Sequence, residues 1–160
     1  MYKILTLFLW IVALVGLDYG VKKCVVLFVS PSDSIPLFKG FLGGVNFSLE
    51  NVRNKGVAWG MLSAFPSFIF WSRSLIILGL IGALLAHRYS MSQKISLSAV
   101  VSGALGNVLD YFLYGSVVDM FHIKLWNYSF PVFNVADSLI FLGVLSLFIQ
   151  QCFEKKKLHI

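Results

Sequence analysis

Four aspartates, Asp18, Asp110, Asp119 and Asp137, stand inside or at the mouth of long apolar stretches of the chain. A carboxylate is expensive to keep in such surroundings, so each is a functional candidate by default. The chemistry open to them is that of a carboxyl pair. Like charges held close together cannot both ionise, so one carboxyl keeps a proton while the other stays a base. Such a pair can activate a water for attack on a peptide carbonyl and then protonate the leaving amine. No Ser/His/Asp set offers a rival in the sequence. Of the three histidines only His122 comes near the aspartates, and its alternating neighbours mark it as an outer-loop surface residue. Cys24 and Cys152 are too few for a disulfide framework or a zinc site, so no metal or organic cofactor is expected.

The elements that must position these acids are membrane helices. Of the 160 residues 58% are hydrophobic and only 12% are charged, with a mean hydropathy of +0.84. That leaves too few charges to cover a water-facing surface, which excludes soluble, disordered and fibrous proteins. The net charge of +6 does not point to nucleic acid, because the basic residues sit at the ends of apolar runs, where they orient the chain and meet lipid headgroups. A bilayer core of about 30 Å needs roughly 20 apolar residues per helix. Four runs qualify, at residues 4–27, 66–86, 95–114 and 136–153. The first is read as a span and not as a cleaved leader, since no small-x-small site follows it. The expected fold is therefore an all-α membrane protein of four transmembrane helices, a single membrane-embedded domain over residues 1–160 and a monomer, with outer loops at 28–65 and 115–135.

Lys3, Arg88, Lys94 and Lys155 to Lys157 fall on one side of these spans, against Lys39, Arg53, Lys55 and Lys124 on the other. The positive-inside rule makes the first side, with both termini, cytoplasmic. At about 1.5 Å rise per residue, Asp18 lies about 21 Å up the first span from Ile4 and Asp110 about 22 Å up the third from Ile95. Asp119 follows the third span and Asp137 opens the fourth, so the four acids gather in a thin layer near the outer face. Val45, Phe47 and Leu49 alternate with Asn46, Ser48 and Glu50, and a second alternation runs from His122 to Phe130. Both have the period of a half-buried strand and predict a small extracytoplasmic β-structure.

Five local motifs lie in this framework. They are Asp18-Tyr19-Gly20-Val21-Lys22, Arg53-Asn54-Lys55-Gly56-Val57-Ala58-Trp59-Gly60, Gly103-Ala104-Leu105-Gly106-Asn107-Val108-Leu109-Asp110, Gly115-Ser116-Val117-Val118-Asp119 and Phe133-Asn134-Val135-Ala136-Asp137. Together, in this order and at these depths, they resemble the bacterial lipoprotein signal peptidases (signal peptidase II) over essentially the whole chain. The resemblance selects Asp119 and Asp137 as the catalytic pair, a choice that depth and charge alone leave open among the four acids. It implies an aspartyl endopeptidase of the bacterial cytoplasmic membrane that acts on diacylglyceryl-modified prolipoproteins and cuts before the lipidated cysteine. Asp18 and Asp110 resemble the family's supporting acids. Asp18 is spaced to pair with Lys22 at i,i+4, and Asn107 shares a helix face with Asp110, from which both can hydrogen-bond to neighbouring spans.

The resemblance also implies that Asn54, Gly56, Asn107, Asn134 and Arg53 line the site. The local alternatives are a helix cap at Asn134 and a turn at Asn54 and Gly56. Ser102, Gly103 and Gly106 read as close helix packing. Family members usually carry Arg directly after the aspartate of the third motif, where this chain has Tyr111, and Ser102-Gly103 replaces a Gly-Gly pair. Tyr111 is accordingly expected to be an interfacial aromatic whose hydroxyl can be lost almost silently. The other reading is that the family's Arg positions substrate and its absence is offset by another donor, for which Arg53 is the nearest candidate; Arg73, early in the second span, is expected to snorkel to the interface. A small proton-coupled exporter is the alternative reading of four spans with membrane carboxylates. Such a protein needs a carboxylate at mid-depth and very short loops, and this chain has neither.

Overall fold

The computed structural model describes residues 2–55, 64–86 and 89–157. Four helices cross it: α1 (Tyr2–Phe28), α2 (Pro66–Leu85), α3 (Met91–Tyr114) and α4 (Val135–Lys157). Each is long and apolar enough to span a membrane. The third is the hub, packing on α1, α2 and α4, and it is the most buried of the spans. The others turn Phe8, Leu17, Trp71, Leu75, Phe141 and Phe148 outward, as lipid-facing helices must. α3 begins at Met91, four residues before the expected Ile95, because Ser90 and Gln93 form a reciprocal capping box that starts the helix within polar sequence. Gly115 ends it in the left-handed conformation at φ 67°.

Four antiparallel strands lie at the end of the bundle where α1 and α3 finish and α4 begins. They are β1 (Ser34–Phe41), β2 (Val45–Asn54), β3 (Val117–Leu125) and β4 (Tyr128–Ser129), paired in that order. The expected strand at Val45 to Glu50 is the first half of β2. The second alternation is divided: it runs through β3 to Leu125, then turns at Trp126, whose φ is +50°, into β4. β1 was not expected. It carries Pro36, which an edge strand tolerates because one side of its backbone has no ladder to make.

Two apolar clusters close the ends of the bundle. Leu7, Leu84 and Leu97 join three helices at one end, and Val25, Val29 and Met120 dock β3 on α1 at the other. Across the sheet, Phe38, Phe47 and Phe121 stack in series at 6.4 and 5.8 Å between ring centroids, and Phe133 meets Phe121 at a tilt, 5.7 Å away. The last of them belongs to the segment entering α4, and Phe121 and Phe133 also exchange backbone hydrogen bonds of 2.8 and 3.0 Å. The start of α4 is thereby pinned to β3.

Candidate active site

The Phe121–Phe133 bridge sets Asp119, two residues before Phe121, beside Asn134, the residue after Phe133. Asn134 is fully buried and works in two directions. Its side-chain Oδ1 accepts from the Asp137 backbone N–H at 2.8 Å, and its own N–H donates to Asp137 Oδ2 at 3.2 Å. This is a capping box, which the spacing Asn-x-x-Asp at a helix start encodes locally. Meanwhile its Nδ2 donates to Asp119 Oδ1 at 2.8 Å and to Asn107 Oδ1 at 3.1 Å. The helix cap expected at Asn134 is therefore present, and the same side chain also reaches Asp119.

Each carboxyl receives a second donor from another element. Asn54 Nδ2, at the end of β2, donates to Asp119 Oδ2 at 3.0 Å. Asn107 Nδ2, on α3, donates to Asp137 Oδ1 at 2.9 Å. Asp119 is 3% exposed. Burial pushes its carboxyl up to about 6; the neighbouring Asp137 charge adds to this, and the hydrogen bonds from Asn54 and Asn134 oppose it.

Beneath the pair lies a buried charge cluster. Lys22 is completely buried, and its ammonium reaches Asp18 Oδ2 at 2.7 Å, Asp110 Oδ2 at 2.8 Å and Asn107 Oδ1 at 3.1 Å. Three donors thus meet three acceptors. Asp18 Oδ1 also accepts from the Ala136 N–H at 2.8 Å, and Asp110 Oδ2 from the Val118 N–H at 3.0 Å. The supporting acids so fix the first turn of α4 and the start of β3, the two backbone segments that carry Asp137 and Asp119. The sequence suggested the Asp18–Lys22 pair but not that Asp110 and Asn107 share the same ammonium. Gly106 makes room for this arrangement, since a Cβ there would stand 2.5 Å from Asp18 Oδ2. At Gly103 a Cβ would meet the Ala136 carbonyl, so the close-packing reading of both glycines holds. The Ser102 hydroxyl turns back to the Ser98 carbonyl of its own helix at 2.7 Å.

The Lys22 ammonium fills the space between Asp18 and Asp110, and among the described residues no group of three or more metal-ligating side chains converges. A cleft of about 610 Å³ opens from Asp119 across the sheet, lined among others by Arg53, Asn54, Lys55, His122, Ser129 and Phe130. Gly56 lies outside the described residues.

Two expectations, those for His122 and Tyr111, need correction. His122 is not a free surface residue: its ring bridges Glu50 Oε1 and Ser129 Oγ, both at 2.8 Å, between β2 and β4. The Arg73 guanidinium lies over the Tyr111 ring, 5.7 Å from its centroid, and that of Arg53 over Tyr114 at 4.7 Å. Tyr111 is more than an interfacial aromatic, since its hydroxyl donates to the Lys55 carbonyl at 2.5 Å. No local sequence pattern could reveal that contact, because its partner is a backbone atom 56 residues away.

The sequence profile described as Signal peptidase (SPase) II matches residues 10–153. The chain belongs to the signal peptidase II family. Relatives agree along nearly the full length. The lipoprotein signal peptidase of Staphylococcus carnosus is 34% identical, covering 96% of this chain and 93% of that protein. That of Geobacillus kaustophilus is 37% identical, covering 90% and 92%. A solved bacterial membrane enzyme superimposes with a TM-score of 0.82 at 29% identity, over 95% of this chain and 90% of its own. As a signal peptidase II this chain is an aspartic peptidase and a multi-pass membrane protein of bacteria, and the exporter reading falls away.

Proposed function

We propose that the chain removes signal peptides from diacylglyceryl-modified prolipoproteins, cutting before the lipidated cysteine, with Asp119 and Asp137 as its catalytic dyad. The observation that carries the proposal is the single side chain of Asn134, which caps the helix bearing Asp137 and at the same time donates to Asp119. It joins two carboxyls from two elements, one of which, Asp119, lines the cleft.

In this reading Asp119, whose burial favours the protonated form, donates to the scissile carbonyl oxygen. Asp137, at a helix N-terminus that favours negative charge, takes a proton from the attacking water. A tetrahedral diol forms. Its collapse transfers the proton on Asp137 to the leaving nitrogen and returns a hydroxyl proton to Asp119, so the dyad ends as it began. Asn54, Asn107 and Asn134 hold the carboxyls, and Asp18, Asp110 and Lys22 hold the backbones beneath them. Arg53, exposed at the cleft wall, and Gly56 meet the substrate. The lipid on the cysteine keeps the scissile bond at the membrane surface, level with the dyad. With both termini in the cytoplasm the sheet and cleft face outward, where a signal peptide ends after export. The chain acts as a single domain and a monomer in the bacterial cytoplasmic membrane.

The test is cleavage of a lipidated prolipoprotein by the purified protein in detergent. Asp119→Asn and Asp137→Asn should each abolish turnover while the protein still inserts and purifies. Turnover above a few per cent of the parent in either variant removes that residue from the dyad.

A further inference from the structure

Asn54 is the last residue of β2, and among the described residues the β2–β3 ladder ends at its pairing with Val117. Its amide nevertheless reaches Asp119, which lies diagonally across the strand pair, since Asn54 is in register with Val117. The aim of an amide at a strand end depends on how the backbone on both sides of it is held, on one side here by the pairing with Val117. The next residue, Lys55, is fixed through its carbonyl by the Tyr111 hydroxyl at 2.5 Å.

Tyr111 is itself well anchored. It follows Asp110, which is locked by Lys22 and by the Val118 N–H. Its ring lies under the Arg73 guanidinium of α2, and it has only two side-chain torsions to order. The phenol thus ties α2 and α3 to the end of β2. We propose that Tyr111 is a positioning residue for the reaction: by holding the Lys55 carbonyl it aims the Asn54 amide at Asp119. The inference rests on the dyad assignment above. It goes beyond that assignment by giving a role to a side chain that touches neither carboxyl.

The experiment is a double-mutant cycle on the full-length enzyme in detergent, with kcat, KM and the pH dependence of kcat measured for Tyr111→Phe, Asn54→Ala and the double variant. The hydrogen bond from Asn54 holds Asp119 down, so loosening it moves the activity limb that titrates near pH 6 to higher pH. Tyr111→Phe is expected to lower kcat by roughly three- to tenfold, the size of one neutral hydrogen bond. KM should change little, and the limb should shift in the same direction as in Asn54→Ala. In the double variant the Tyr111 substitution should add no further shift, because its only route to Asp119 is gone. An unchanged pH profile in Tyr111→Phe overturns the proposal, whether or not the melting temperature falls. Effects of the two substitutions that simply multiply overturn it too. Asp119→Asn, measured alongside, reports separately: retained turnover there sinks the dyad assignment, and this role with it.

Discussion

Burial raises the Asp119 carboxyl from its ordinary 3.8 to about 6, and this has consequences for stability as well as catalysis. The unfolded chain releases the proton near 3.8 while the folded chain keeps it to about 6, so stability declines as pH rises through that window. At about 1.4 kcal/mol per pH unit the decline from this one group is on the order of 3 kcal/mol. Asp119→Asn should remove that part of the decline, so thermal melts at about pH 4 and pH 7 should differ less than in the parent. The same substitution should cut kcat/KM by roughly a thousandfold or more, because a dyad acts as a unit. A variant that is inactive but keeps the parental pH dependence of melting would assign the raised pKa elsewhere.

The two kinds of glycine in the spans make opposite predictions for the elements. A Cβ at Gly106 would press on Asp18, and one at Gly103 on the Ala136 carbonyl, whereas nothing lies within 4 Å of a Cβ at Gly82. Gly106→Ala and Gly103→Ala should each cost about 1–3 kcal/mol and lower activity, since Asp18 and Ala136 hold the turn bearing Asp137. Gly82→Ala should gain up to about 1 kcal/mol in α2. Unfolding in detergent measures both. In the sheet, burial of Glu50 is outweighed by hydrogen bonds from His122, Ser34 and Ser48, which draw its carboxyl below the usual 4.5. A depressed carboxyl contributes stability that is fully present above 4.5 and lost as pH falls through its folded value. Glu50→Gln should therefore flatten the acid side of the melting profile below about pH 4.5, and a profile identical to the parent would remove this clasp from the sheet's stability. The spans were legible in the sequence because apolar length is a property of contiguous residues, and the Asn134–Asp137 box because a cap spans one helical turn. β1 was not, for its only anchor is pairing with β2 and its Pro36 argues against a strand. The contacts of Lys22 with Asp110 and Asn107, and those of His122 and Tyr111, escaped for a related reason: each joins elements distant in the chain, and only packing brings the partners together.

For the whole molecule, orientation and substrate choice are open to direct test. Single cysteines introduced at Lys39 and Lys124 in a Cys24- and Cys152-free background should react with an impermeant reagent from outside the cell, and one at Lys94 should not. The reverse pattern would put the cleft in the cytoplasm. Cleavage should also depend on prior lipidation of the substrate cysteine, because binding of acyl chains remote from the scissile bond can be used to position that bond. Equal kcat/KM for lipidated and unlipidated substrate would contradict this. The Asp18–Lys22 pair has a consequence that reaches back to synthesis. An unpaired charge costs about 2.5–3.5 kcal/mol at the centre of a helix entering the bilayer and less toward its end, where Asp18 and Lys22 lie, and α1 emerges from the ribosome long before α3 can supply Asp110 or Asn107. Because the two charges lie one turn apart on α1 and touch at 2.7 Å, the nascent helix can carry its own counter-ion across the lipid. Asp18→Asn would leave Lys22, with Lys23 beside it, without any carboxylate on that helix. The insertion efficiency of α1 should fall in a glycosylation-mapping assay even when the downstream spans are absent, and Lys22→Met in the same chain should restore it.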